Sequence, residues 1–97
     1  MKFKAVIANF KDNVATAISN IKKGETVSVK IDKELLEITS NENIPFGHKL
    51  SLTDIPKGED VIKYGEVIGR ATRNIRKGDY VHIHNVESKR GRGDLVR

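Results

Sequence analysis

Apolar and polar residues alternate with a period of two along much of this chain. Val27, Val29 and Ile31 alternate with polar residues, as do Leu50 and Leu52, and Val81 and Ile83; Val67-Ile68 marks a further segment. This period predicts strands. Residues 3–8 also read as a strand, and Asp32-Lys33 as a turn leading from residues 27–31 into 34–39. One stretch departs from the pattern. Val14, Ala17, Ile18 and Ile21 fall at i, i+3, i+4 and i+7, which predicts a helix of about three turns over residues 12–21, with Asp12 as N-cap and Gly24 as its stop. Pro45 and Pro56 hold the isoleucines before them extended and so mark segment boundaries. The expected fold is mainly β with one principal helix.

A short motif punctuates these segments. Ile21-Lys22-Lys23-Gly24-Glu25-Thr26-Val27, Ile55-Pro56-Lys57-Gly58-Glu59-Asp60-Val61 and Ile75-Arg76-Lys77-Gly78-Asp79-Tyr80-Val81 all spell Ile-x-Lys-Gly-acid-x-Val. An apolar residue closes one element, glycine permits a positive φ, and valine opens the next strand. The spacings are unequal, so the motif is a reused turn in a compact domain and not a solenoid repeat. Gly65 and Gly69 lack the context and the Lys-Ser/Thr ending of a phosphate-binding loop.

Ninety-seven residues fit one domain with a modest core. The chain has no cysteine, which excludes disulfides and thiolate metal sites; a metal here would need imidazole and oxygen ligands. No apolar run is long enough for a membrane span, and residues 1–8 lack the pattern of a signal peptide, so the expectation is a cytoplasmic protein. The net charge of +5 is uneven: Lys89, Arg90, Arg92 and Arg97 against Asp94 make the last residues strongly basic. Such a tail suits a small anion, an acidic partner or nucleic acid. It carries no aromatic residue for base stacking, which weighs against nucleic acid.

The candidate chemistry centres on Val81-His82-Ile83-His84-Asn85. On a strand, His82 and His84 would share one face, roughly 6.6 Å apart at about 3.3 Å per residue. Two imidazoles so placed suit a metal ion or an anionic substrate. His48, the third histidine, follows Gly47; Asn85 is a turn residue or a polar ligand group, and Lys63 flanks a tight turn at Tyr64 within reach of a substrate. Thr16 and Ser19 have no base at a useful spacing.

Taken in order, four strings carry more than any one alone: Asp12-Asn13-Val14-Ala15-Thr16-Ala17, Pro45-Phe46-Gly47-His48-Lys49-Leu50, residues 62–72 with Lys63-Tyr64-Gly65, and Val81-His82-Ile83-His84-Asn85-Val86. Together they closely resemble the SAF domain of the altronate and galactarate dehydratase family. The resemblance implies a β-clip domain over residues 1–88, followed by a basic tail at 89–97 similar to the linker that leads into a large dehydratase domain. It implies the small subunit of a two-subunit lyase that dehydrates a sugar acid and is inactive without its large dehydratase subunit. The alternatives are the small subunit of a sulfolactate sulfo-lyase, or a non-catalytic carbohydrate- or sugar-acid-binding module. A divalent metal, iron or manganese, is implied, held here or by the partner subunit. The same resemblance puts His82 and His84 in the catalytic role, or alternatively as metal ligands. His48, Lys63, Asn85, Arg90 and Arg92 become candidates for contact with a small anionic substrate.

Overall fold

The computed structural model describes residues 3–88 and is built of strands and turns. In chain order the strands are β1 (Ala5–Val6), β2 (Val14–Ala17), β3 (Thr26–Ile31), β4 (Glu34–Thr39), β5 (Lys49–Ser51), β6 (Asp60–Lys63), β7 (Glu66–Ala71), β8 (Tyr80–Val81) and β9 (Val86–Ser88). Six form one sheet in the order β4-β3-β1-β2-β5-β8, and three form a second in the order β6-β7-β9. β1 and β3 pair in parallel; every other pairing is antiparallel. Among the described residues, no helix is long and apolar enough to cross a membrane.

The helix expected over residues 12–21 does not form; β2 and a turn take its place. The reason is burial on both faces of the strand. Ala15 and Ala17 point into a core with Ala5, Ile21, Val27, Val29, Ile38, Ile44 and Leu50, while Val14 points into a second core with Ile55, Val61, Ala71, Ile75 and Val81. A strand buried on both sides reads as a continuous apolar run without alternation, and Ile21 then completed a helical spacing by coincidence. Asp12 caps no helix. Its Oδ2 accepts the Ala8 and Asn9 amides at 3.1 and 3.0 Å, and its Oδ1 accepts the Gly65 amide at 2.9 Å. The carboxylate thereby ties the tip of the β6–β7 hairpin to the loop before β2. The strand expected over residues 3–8 shortens to β1.

The Asp32-Lys33 turn joins β3 to β4 as expected, with Ile31 opposite Glu34. At the β6–β7 tip, Tyr64 and Gly65 both have positive φ, 59° and 72°, the conformation of a tight two-residue hairpin.

The repeated turn occurs four times and not three. The fourth copy is Ile44-Pro45-Phe46-Gly47-His48-Lys49-Leu50, and Gly24, Gly47, Gly58 and Gly78 share φ values of 87–92°. The copies associate in two reciprocal pairs. Ile21 and Ile44 exchange both backbone hydrogen bonds, as do Ile55 and Ile75. In each copy the amide before the glycine is donated to the Asn or Asp side chain that precedes the partner isoleucine: Lys23 to Asn43, Phe46 to Asn20, Lys57 to Asn74 and Lys77 to Asp54, all at 2.8–2.9 Å. The domain is thus two similar halves, each a hairpin whose ends are clasped by a pair of turns. The halves meet where β5 pairs with β8, Lys49 opposite Val81 and Leu50 opposite Tyr80.

Candidate functional site

The histidines gather at this seam. His48 belongs to the fourth turn and precedes β5; His82 and His84 follow β8. Residues 81–85 do not continue as a strand, as the alternation had suggested: β8 ends at Val81 and a turn follows. Asn85 makes that turn. Its Oδ1 accepts the His82 amide at 3.0 Å, its Nδ2 donates to the Tyr80 carbonyl at 2.8 Å, and the Asn85 and Val86 amides both reach the His82 carbonyl. Asn85 is buried with its amide committed to the backbone, so its place is to shape the turn.

The turn leaves His82, Ile83 and His84 exposed and folds both imidazoles around one ring, that of Tyr80. Tyr80 stacks on His82 at 5.6 Å with the planes 6° apart, and meets His84 at 5.4 Å. On its other side the Tyr80 hydroxyl is 2.6 Å from His48 Nδ1, and the His48 and His82 rings lie 4.8 Å apart. The two groups share one hydrogen bond whose donor is set by the His48 tautomer; in the tautomer with Tyr80 donating, His48 keeps an Nε2–H donor. The fold therefore brings His48, His82 and His84 together through a residue that the sequence did not single out. Two exposed apolar side chains, Phe46 and Ile83, are the near neighbours of His48 and of the other two histidines along the chain.

Lysines border the cluster. Lys49, half-buried in β5, stands directly opposite Thr16 of β2, and Lys63 at the end of β6 hydrogen-bonds through Nζ to Thr16 Oγ1. Burial, and then repulsion from Lys63, lowers the Lys49 pKa. The His82 pKa is lowered as well, first by partial desolvation and then by the positive charge of His48, Lys49 and His84. His82 is therefore a neutral imidazole at pH 7, able to accept a proton, in surroundings that favour an anion.

Among the described residues no group of three or more His, Cys, Asp or Glu is placed to hold a metal ion. Lys49, whose charge also acts on His82, would repel a divalent ion. Arg90, Arg92 and the rest of the basic segment 89–97 lie outside the described residues.

Known proteins are similar to this chain in sequence. Over 77 residues the chain is 44% identical to altronate dehydratase of Escherichia coli K12, a match that covers 79% of this chain and 15% of that protein. It is 47% identical over 55 residues to (2R)-sulfolactate sulfo-lyase subunit alpha of Chromohalobacter salexigens, covering 57% and 58% of the two chains. Over 40 residues it is 52% identical to galactarate dehydratase (L-threo-forming) of E. coli K12, 41% of this chain and 8% of that one. The chain thus spans a small part of the dehydratases and somewhat over half of the sulfo-lyase subunit. The family model described as the altronate/galactarate dehydratase SAF domain matches residues 3–89. This chain belongs to that SAF-domain family.

Proposed function

We propose that the chain is the substrate-facing small subunit of a two-chain lyase that removes water from a hydroxy-carboxylate of the altronate or galactarate type. The observation that carries this reading is the cluster of His48, Tyr80, His82 and His84 at the seam of the two halves, bordered by Lys49 and Lys63. Dehydration requires removal of a weakly acidic proton beside a carboxylate and departure of the β-hydroxyl. His82, neutral and with a lowered pKa, is suited to take the proton. His48 is suited to hold the reacting carboxylate through a ring N–H. His84, against the Tyr80 ring, serves as the second proton carrier.

The cluster lies open at the surface, so it cannot exclude water by itself. Exposed Phe46 and Ile83 beside it offer apolar contact to a larger chain that closes the site. Iron or manganese, where the reaction employs one, then belongs with that larger chain and not with His82 and His84. The chain alone is expected to be inactive. A second reading, the small subunit of a sulfolactate sulfo-lyase, draws on the relative named as subunit alpha of that enzyme.

The test is turnover of altronate, galactarate and sulfolactate by this chain together with its large dehydratase-type partner. His82→Ala and His84→Ala should each lower turnover by at least about 100-fold while the circular dichroism spectrum stays unchanged. Near-normal turnover in both variants would overturn the catalytic role, and turnover by this chain alone would overturn the two-chain reading.

A further inference from the structure

We infer that Lys49, Lys63 and Thr16 form a second anion subsite beside the histidine cluster, so that the ligand of this chain is a small hydroxy acid bearing an anionic group at each end. The inference rests on the reading of the histidine cluster as the seat of one substrate carboxylate. Thr16 and Lys49 are directly opposed across β2 and β5, and the β6–β7 hairpin carries the Lys63 ammonium onto Thr16 Oγ1. Lys63 and Thr16 thus touch, and Lys49 is the cross-strand neighbour of Thr16.

The lysines lack the partners that such groups normally find. Among the described residues the one ion pair is Lys4–Glu25, and no carboxylate pairs with Lys49 or Lys63. Glu66 stands opposite Lys63 across the hairpin, yet the Lys63 ammonium reaches the other way, to Thr16 and over the Tyr64 ring at 4.5 Å. Lys63 acts on half-buried Lys49 by charge repulsion, and an anion bound by both lysines would relieve that repulsion and the lost hydration. Lys49 follows His48 in the chain and lies opposite Val81, the residue before His82. The two subsites are therefore about one to two strand spacings apart, ~5–10 Å, a span suited to a short acid. A sugar acid with a single carboxylate fills one subsite and leaves the lysines unpaired. A dicarboxylate, or a carboxylate with a sulfonate, fills both.

Matched pairs of acids test this on the 97-residue chain. Binding of galactarate is compared with that of galactonate, which has a terminal alcohol in place of one carboxylate, and sulfolactate with lactate, by amide chemical-shift titration at constant ionic strength. The dianion of at least one pair should bind about tenfold or more tightly than its monoanion, the scale of one charge-assisted hydrogen bond; which pair does so tells carboxylate from sulfonate. Lys63→Met and Lys49→Met should each abolish that preference and leave monoanion binding within about twofold. Equal binding within both pairs, or equal loss of both ligands in the lysine variants, would overturn the subsite and leave the lyase reading intact. Failure of the chain to bind any of the four acids would also overturn it, since the subsite is placed on this chain; whether the lyase reading then survives is decided separately by turnover with the larger partner.

Discussion

In the turn of the second half that ends at Asp79, the carboxylate accepts the Arg76 amide at 2.8 Å, and Glu25 does the same for Lys22 in the first half at 3.0 Å. In the other turn of the first half the residue equivalent to Arg76 is Pro45, which has no amide to cap, and the acid is replaced by His48. The four turns share glycine geometry and paired isoleucines, yet only two of them need a carboxylate. Proline releases the capping position from its structural duty. At Pro56 the released residue remains Glu59; at Pro45 it has become the histidine that faces Tyr80. One turn of a repeated frame thus carries a chemically active side chain with the same backbone geometry as the others.

The largest effect that would sharpen this comparison is at the glycines. A Cβ at Gly78 would lie 2.3 Å from the Thr39 carbonyl oxygen, whereas one at Gly47 meets nothing within 4 Å. Gly78→Ala should cost about 3 kcal/mol or more, positive φ and clash together, and Gly47→Ala about 1 kcal/mol, from φ alone. Urea melts measure both; equal costs would show that the four turns are not the same frame in different surroundings.

A smaller effect separates capped from uncapped turns. Asp79→Ala loses the bonds to the Arg76 amide and to Asn41 Nδ2 and should cost about 1–2 kcal/mol. Glu59→Ala should stay within about 0.5 kcal/mol. Pro45→Ala restores an amide, and a double-mutant cycle with His48→Asp should then show a favourable coupling of about 0.5–1 kcal/mol. A coupling of zero would break the argument that proline freed position 48.

The smallest effect is the pH dependence of stability. The His82 pKa is lowered in the fold, so between its ordinary value near 6.5 and its folded value the unfolded chain binds more protons. Its contribution is fully present above pH 6.5 and is lost as pH falls through that window. Melting temperatures from pH 8 to 5 should decline less steeply in His82→Gln than in the parent chain. A bound anion raises the His82 pKa, so anion affinity should rise over the same descent.

Much of this was legible in the residues. Val27, Val29 and Ile31 gave β3 because one side of it is buried and the other is not, and glycine with a following valine marked three of the four turns. The order of the motif strings gave the family. What escaped has physical causes. β2 is buried on both faces and so has no alternation. The fourth turn carries Phe46, His48 and Leu50 where the others carry lysine, an acid and valine. Val81-His82-Ile83-His84-Asn85 alternates like a strand, but Asn85 folds it into a turn. Tyr80 and Lys49 matter through partners 32 and 33 residues away, His48 and Thr16, which no local pattern reports.

The reciprocal isoleucine bridges also bear on the order of folding. Each closes a segment of roughly twenty residues around a hairpin, a short loop with a modest entropic cost that chain diffusion closes in well under a millisecond. Each half can therefore clasp itself using contacts local in sequence. The β5–β8 pairing depends on both halves and joins residues more distant in the chain, so it belongs to the slower part of the reaction. The cluster of His48, Tyr80, His82 and His84 lies on that pairing. The chemistry of this domain is thus expected to assemble after each half has clasped itself, and an anion that bridges the seam should slow unfolding more than it speeds folding, which stopped-flow rates with and without the anion measure.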